Sequence, residues 1–170
     1  MKDQIRKANL NEKVFMLGRI EQEYLGAYYQ ACDVFTLPSI YRTEAFGLVQ
    51  VEAMYFGKPL VSTDIPGSGV SFVNRNGITG FLVTPQSSRA LVNALSKLVD
   101  NPELRAEFGK NGKKRLQTEF HIEVITERIL TQVTLLRENK KFFRYQISNW
   151  DPPVRLAIAK GDVVKTYPLA

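Results

Sequence analysis

Short apolar runs alternate along this chain with longer stretches whose apolar residues recur at helical spacing, a pattern that predicts parallel βα units. Residues 2–8 read as a helix end, followed by a turn at Asn9-Leu10-Asn11. Val14-Phe15-Met16-Leu17 reads as a buried strand stopping at Gly18. A helix is expected from Gln22, with Leu25, Tyr28, Tyr29 and Cys32 at helical spacing, and then a strand at Asp33–Leu37 ended by Pro38-Ser39. Phe46 to Phe56 reads as an apolar helix closed by Gly57 ahead of Pro59. Leu60–Thr63 and Gly80–Val83 are two further strands, joined by a Gly-rich connection from Ile65 to Gly77. Three regular helices follow: Ser87–Val99, one opened by Asn101 as cap with Pro102 at its first position, and one striped by Ile122, Ile125, Ile129, Val133 and Leu136. From Phe142 the pattern fails, and Asp151-Pro152-Pro153 breaks any helix. The organisation expected is therefore a domain over 1–141 and a tail of unclear structure over 142–170, which Trp150 and Tyr167 could pack back onto the domain.

The 170 residues suffice for one ordinary domain with a substantial core, and 44% apolar with 24% charged residues is a globular composition. No apolar run reaches the roughly 18 residues of a membrane span, and the charged N-terminus lacks a signal-peptide pattern. The single cysteine, Cys32, excludes an internal disulfide framework and suits a cytoplasmic setting. The net charge is +6, and ten basic against six acidic residues fall between Asn101 and Arg144. Solvated amphipathic helices explain this excess more simply than a binding face, although it leaves peripheral association with the inner face of a membrane open. Nucleic acid is not expected, because glutamates interleave the positives and no aromatic platform sits among them.

The strand–loop–helix over 33–57 carries the candidate chemistry. Ligands of open parallel sheets bind beyond the carboxyl ends of the strands, where the loop Pro38–Glu44 emerges. A helix start there presents unpaired N–H groups to a diphosphate or to sugar oxygens, and Gly47 lets a ligand approach the backbone. Glu44 precedes the helix and can accept from sugar hydroxyls. Glu52 lies two turns in among apolar residues, where a carboxylate needs a partner such as a vicinal diol. Spacing alone leaves the bland reading open, in which Glu44 merely favours a helix N-terminus.

The wider context is specific. Asp33-Val34-Phe35-Thr36-Leu37-Pro38-Ser39, Glu44-Ala45-Phe46-Gly47-Leu48-Val49-Gln50-Val51-Glu52-Ala53-Met54 and Gly57-Lys58-Pro59-Leu60-Val61 resemble the retaining GT-B glycosyltransferases of family 4 (group 1), in their C-terminal donor-binding domain. Gly18 after an apolar run, Gly77–Val83 and Asn101-Pro102-Glu103-Leu104 extend the resemblance to residues 1–139. It implies an α/β, Rossmann-like parallel sheet flanked by helices, an incomplete C-terminal half of a GT-B fold. It also implies site roles. Glu44 would meet the hydroxyls of the transferred sugar; the backbone N–H groups of Phe46, Gly47 and Leu48 would meet sugar and distal phosphate, with Arg42 near the phosphates. Glu52 would hold the ribose, and the turn Gly18-Arg19-Ile20 would lie against the base. The variant Ile40–Gly47, with Gly67–Asn74, looks like the mannosyltransferases of O-antigen, lipopolysaccharide and capsule biosynthesis, which points to GDP-mannose, or otherwise a UDP-sugar, as donor. This stretch departs from the commoner pattern, which has an acidic residue near Ser71.

The resemblance implies a transferase moving a sugar to a saccharide or lipid-linked acceptor, with no cofactor and no bound metal. It also places the start of this chain inside the second of two domains, without the strand and loop that bear a basic pair for the diphosphate and without the N-terminal acceptor domain. Little activity is expected from the chain alone, since leaving-group stabilisation is a large part of such catalysis. The alternative is a non-catalytic module or partner subunit that keeps only the fold. Among other residues, His121 reads as a cap or packing residue and Cys32 as core filler. Tyr24, Tyr28 and Tyr41 could stack on a base or pack the core, the core being favoured. Asp64 reads equally as a ligand-side residue or a turn cap, and Arg42 equally as a phosphate neighbour or a surface loop charge.

Overall fold

A computed structural model describes residues 2–138 and, beyond them, two strands over 154–159 and 162–168. Two compact units are present, Met1–Phe120 and His121–Ala170. The first is built on a parallel sheet of β1 (Phe35–Leu37), β2 (Leu60–Thr63) and β3 (Gly80–Val83), in that order. Ahead of it lie α1 (Lys2–Lys7) and α2 (Gln22–Ala31); α3 (Leu48–Tyr55) and α4 (Val70–Val73) cross between the strands, and α5 (Ser88–Val99) and α6 (Pro102–Arg115) follow. A π-helical turn over Leu116–Phe120 ends the unit.

The sheet separates two apolar layers because β2 is buried along its whole length and alternates its side chains between faces. Val61 points to one side, into a cluster with Val83, Ala94, Leu98 and Phe108 that α5 and α6 cover. Leu60 points to the other, against Ala53, Met54 and Val73, flanked by Tyr29, Phe35, Phe46, Leu116 and Phe120. Complete burial of Leu60, Val61 and Leu98 contributes roughly 1.5–3 kcal/mol for each side chain. Asn101 caps its helix as expected, accepting from the Leu104 N–H, and Ser87, expected inside its helix, is instead the N-cap, accepting from the Ala90 N–H.

Three expectations need correction. Val14–Leu17 forms no strand, and Phe15 is 69% exposed. The local hydrogen bonds near it close a turn instead, with Lys13 and Val14 N–H groups donating to the Leu10 carbonyl. Tyr24, Tyr28 and Tyr41, expected in the core, are all exposed; Tyr29 is the half-buried tyrosine of α2. The Gly-rich connection over 65–77 contains a helical turn, α4, whose Val70 and Val73 are fully buried.

The second unit contains α7 (Ile122–Glu138) and an antiparallel pair, β4 (Val154–Ala159) with β5 (Asp162–Pro168). Of the tail expected over 142–170, residues 142–153, Trp150 among them, lie outside the described residues. His121 stands at the start of α7, exposed, with its Nδ1 3.6 Å from the Glu123 carboxylate and its carbonyl accepting from Ile125.

Candidate functional site

The carboxyl ends of β1 and β2 feed two loops, 38–47 and 64–69, that are bound to each other. Thr63 on β2 donates its hydroxyl to the Ser39 carbonyl, and Ser68 donates its hydroxyl to the Glu44 carbonyl. The Gly69 N–H donates to the Ala45 carbonyl at 2.6 Å, and Arg42 Nε to the Gly67 carbonyl at 3.1 Å. Gly69 is needed for this approach, because a β-carbon there would fall 2.9 Å from both the Ala45 oxygen and the Phe46 ring. Arg42 thus ties one loop to the other, whatever else its guanidinium meets.

This brace fixes the start of α3. Gly47 is its N-cap, in the left-handed conformation at φ 78°. Gln50 is the first residue of the helix to find an acceptor for its N–H, the Gly47 carbonyl at 2.9 Å. The amides of Leu48 and Val49 therefore stand ahead of the helix's own hydrogen-bond ladder, at the positive end of its dipole. Glu44 is half-buried beside this point, its Oε2 3.4 Å from the Ser39 hydroxyl.

Glu52 lies in the second turn of α3, and its setting differs from the one its neighbours in sequence suggest. It is exposed, and the Tyr29 hydroxyl donates to its Oε2 at 2.7 Å. Tyr29 is thereby joined to the candidate site, a link that the sequence did not reveal. Burial, first, and then the hydrogen bond to Glu52 push its hydroxyl pKa above the ordinary range. Cys32, one turn on, is half-buried with its thiol 3.3 Å from the Tyr29 carbonyl, and burial raises its pKa as well.

The polar residue that α3 does bury is Gln50. It accepts from the Ser62 hydroxyl at 2.5 Å and lies 3.4 Å, through Nε2, from the Val70 carbonyl. Asn74 Nδ2 donates to Ser62 Oγ and to the Phe81 carbonyl, and Thr79 Oγ1 donates to Asn74 Oδ1. These four side chains link α3, β2, α4 and the approach to β3 in one buried network, with no buried side-chain polar atom left unpaired among the described residues.

Gly18, Arg19 and Ile20 lie in the stretch between α1 and α2. Gly18 has φ 70° and Arg19 Nε sits 3.7 Å from Glu21. No hydrogen bond or ion pair among the described residues joins them to 44–52. Asp64 is exposed, its N–H bonded to the Val83 carbonyl. No three His, Cys, Asp or Glu side chains gather among the described residues in a way that could hold a metal ion.

Comparison with known proteins places this geometry. Residues 1–115 match the family described as glycosyl transferases group 1. The O-antigen chain mannosyltransferase C of Escherichia coli is 32% identical over 127 residues, 75% of this chain and 34% of that protein. The D-rhamnosyltransferase WbpZ of Pseudomonas aeruginosa is 36% identical over 107 residues, 63% of this chain and 28% of its own length. Among solved structures, sucrose-phosphate synthase from Thermosynechococcus elongatus superposes with a TM-score of 0.70 at 35% identity, over 81% of this chain and 33% of that one. Anabaena HepE, solved with UDP, gives a TM-score of 0.69 at 29% identity, over 79% of this chain and 36% of that one. The chain thus spans about a third of the length of these relatives. The parallel sheet flanked by helices is Rossmann-like, shared with part of the GT-B glycosyltransferases, and no helix among the described residues is long and apolar enough to cross a membrane. With more than half of its residues in the family match, the chain belongs to the glycosyl transferases group 1 family.

Proposed function

We propose that this chain forms the nucleotide-sugar-binding part of a retaining hexosyltransferase of cell-surface polysaccharide synthesis. Its donor would be GDP-mannose, with a UDP-sugar second, and its acceptor a saccharide or lipid-linked saccharide. The observation that carries the reading is the start of α3: a glycine-capped helix N-terminus beyond the carboxyl end of β1, with Glu44 half-buried just ahead of it and Glu52 exposed in its second turn. The amides of the Phe46–Leu48 segment would face the sugar and distal phosphate, an arrangement that suits anions for reasons of dipole and unpaired N–H groups. Glu44 would accept from hydroxyls of the transferred sugar, and Glu52 from those of the ribose, with the Gly18–Ile20 turn toward the base. In transfer the bond from anomeric carbon to diphosphate oxygen breaks and one from anomeric carbon to an acceptor hydroxyl oxygen forms, the hydroxyl proton passing to the departing diphosphate oxygen. The helix start would stabilise the negative charge that collects on that diphosphate.

The mannosyl donor rests on similarity to the E. coli mannosyltransferase and on the Gly67–Asn74 stretch. HepE solved with UDP and with UDP-glucose supports a nucleotide-sugar ligand in this fold. Activity in our reading needs an acceptor-binding domain and further diphosphate contacts beside these residues, so the chain by itself would turn over little or no donor, and it would need no metal. Peripheral association with the inner face of the membrane would bring it to lipid-linked acceptors. Calorimetry against GDP-mannose, UDP-glucose, GDP and UDP tests the reading, with Glu52→Ala as the key variant. Binding of one nucleotide class, weakened about tenfold or more by Glu52→Ala, is expected; binding that survives the substitution unchanged would sink the ribose assignment.

A further inference from the structure

We propose that Tyr29 is the positioning residue of the nucleotide site: its hydroxyl proton orients the Glu52 carboxylate and thereby sets the preference of the site for ribose hydroxyls. The inference rests on the donor-binding reading above and deepens it.

Glu52 sits on an exposed helix face, where a glutamate ordinarily samples many rotamers. Here it does not stand free. The Tyr29 ring stacks on Phe56 at 5.5 Å with 12° between planes and lies 5.7 Å from Phe35, so it is held on two sides. Its hydroxyl emerges between the Val49 carbonyl at 3.4 Å and Glu52 Oε2 at 2.7 Å. A phenol has one proton, and the shorter, charge-assisted contact takes it. The carboxylate is thereby tethered to a rigid ring on α2.

The consequence is chemical as well as steric. Once Tyr29 has donated to Oε2, the phenol has no proton left to offer a ligand. Oε1 keeps both of its lone pairs and Oε2 keeps one. The pair presents acceptors only, which repels phosphate and receives hydroxyl donors. A vicinal diol supplies two such donors, and tethering spares it the cost of ordering the glutamate side chain on binding.

The test compares binding of GDP and UDP with that of their 2′,3′-dideoxy counterparts to the whole chain, as wild type, Tyr29→Phe and Glu52→Gln. Wild type is expected to prefer the ribonucleotide by about tenfold or more. Glu52→Gln should bring the preference near parity. Tyr29→Phe keeps the ring and its packing but lacks the proton, and it should cut the preference about fivefold while leaving dideoxynucleotide affinity unchanged. A Tyr29→Phe chain that keeps the wild-type preference, or loses affinity equally for both nucleotides, overturns the proposal, because Tyr29 then only packs. If Glu52→Gln leaves the preference intact, the ribose contact fails and Tyr29 fails with it. Absence of binding to any of the nucleotides overturns the donor-binding reading itself.

Discussion

Gly47 lies directly over the side chain of Gln50: a β-carbon on Gly47 would come within 2.6 Å of Gln50 Nε2 and 3.0 Å of Leu37. The left-handed backbone at this residue and the buried amide beneath it therefore require glycine for two separate reasons. Gly47→Ala should destabilise the chain by about 2–3 kcal/mol, of which roughly 1–2 kcal/mol is the left-handed conformation and the remainder the displaced side chains. Urea unfolding measures the first effect. Nucleotide calorimetry should show a parallel loss of affinity, since the N–H groups that follow Gly47 would be re-aimed.

Gln50 itself is replaceable in volume but not in hydrogen bonding. Gln50→Leu strands the Ser62 hydroxyl proton in a fully buried position, and the expected cost is about 1–3 kcal/mol. Ser62→Ala breaks the same bond from the other side and also removes an acceptor for Asn74. The double variant should therefore be less destabilised than the sum of the two single variants, by about 0.5 kcal/mol or more. Strict additivity in a double-mutant cycle would show that the two residues do not share a network.

How much of this was legible beforehand follows from the range of the signals. Asn101 and Pro102 act within one helical turn, and their helix begins where these residues place it. Leu60–Thr63 and Gly80–Val83 are bounded apolar runs, and each forms the strand expected. Val14–Leu17 carries the same local signal without becoming a strand, because a strand consists of its ladder with a neighbour and no residue pattern reports the neighbour. In α3 nearly every position is apolar, so the sequence does not disclose which stripe faces inward. Residues 50 and 52 differ by about 200° around a helix, which makes burial of one the exposure of the other. The buried stripe runs through Gln50, Ala53 and Met54, and Glu52 meets solvent and Tyr29 instead. The Glu44–Gly47 segment was visible as a candidate; its brace through Ser68, Gly69 and Arg42 depends on contacts more than twenty residues distant.

Gly109 is another position whose constraint is invisible locally. It lies inside α6, where alanine is the better helix former by about 1 kcal/mol. Its Cα, however, faces the end of α3, and a β-carbon there would fall 2.0 Å from the Gly57 carbonyl oxygen. Backbone cannot yield as a side-chain tip can. Gly109→Ala should cost about 3 kcal/mol or more despite its propensity gain, by prising α6 from α3. Lys110→Ala, one residue on and exposed, should stay within about 0.5 kcal/mol of wild type in the same thermal or urea unfolding assay.

The Tyr29–Glu52 pair gives stability an alkaline limit whose sign follows from proton binding. In the unfolded chain Tyr29 ionises around its ordinary value of 10.0, whereas in the folded chain burial and the Glu52 carboxylate hold the proton on to higher pH. Cys32 behaves alike from its ordinary 9.0, raised by burial against the opposing pull of Lys58. Above these values the folded state binds more protons than the unfolded state, so stability must fall as pH rises. Their contribution is fully present below about pH 9 and is lost as pH climbs through the raised folded values. Glu52→Gln removes one cause that holds the Tyr29 proton and leaves burial, the largest, so the folded Tyr29 hydroxyl should ionise at lower pH than in wild type while stability still falls through the unfolded value. NMR titration of the tyrosine ring carbons in both folded chains measures the shift, and urea unfolding from pH 8 to 11 checks the common fall in stability. A Tyr29 that ionises at the same pH in Glu52→Gln as in wild type would mean that Glu52 does not hold its proton in solution.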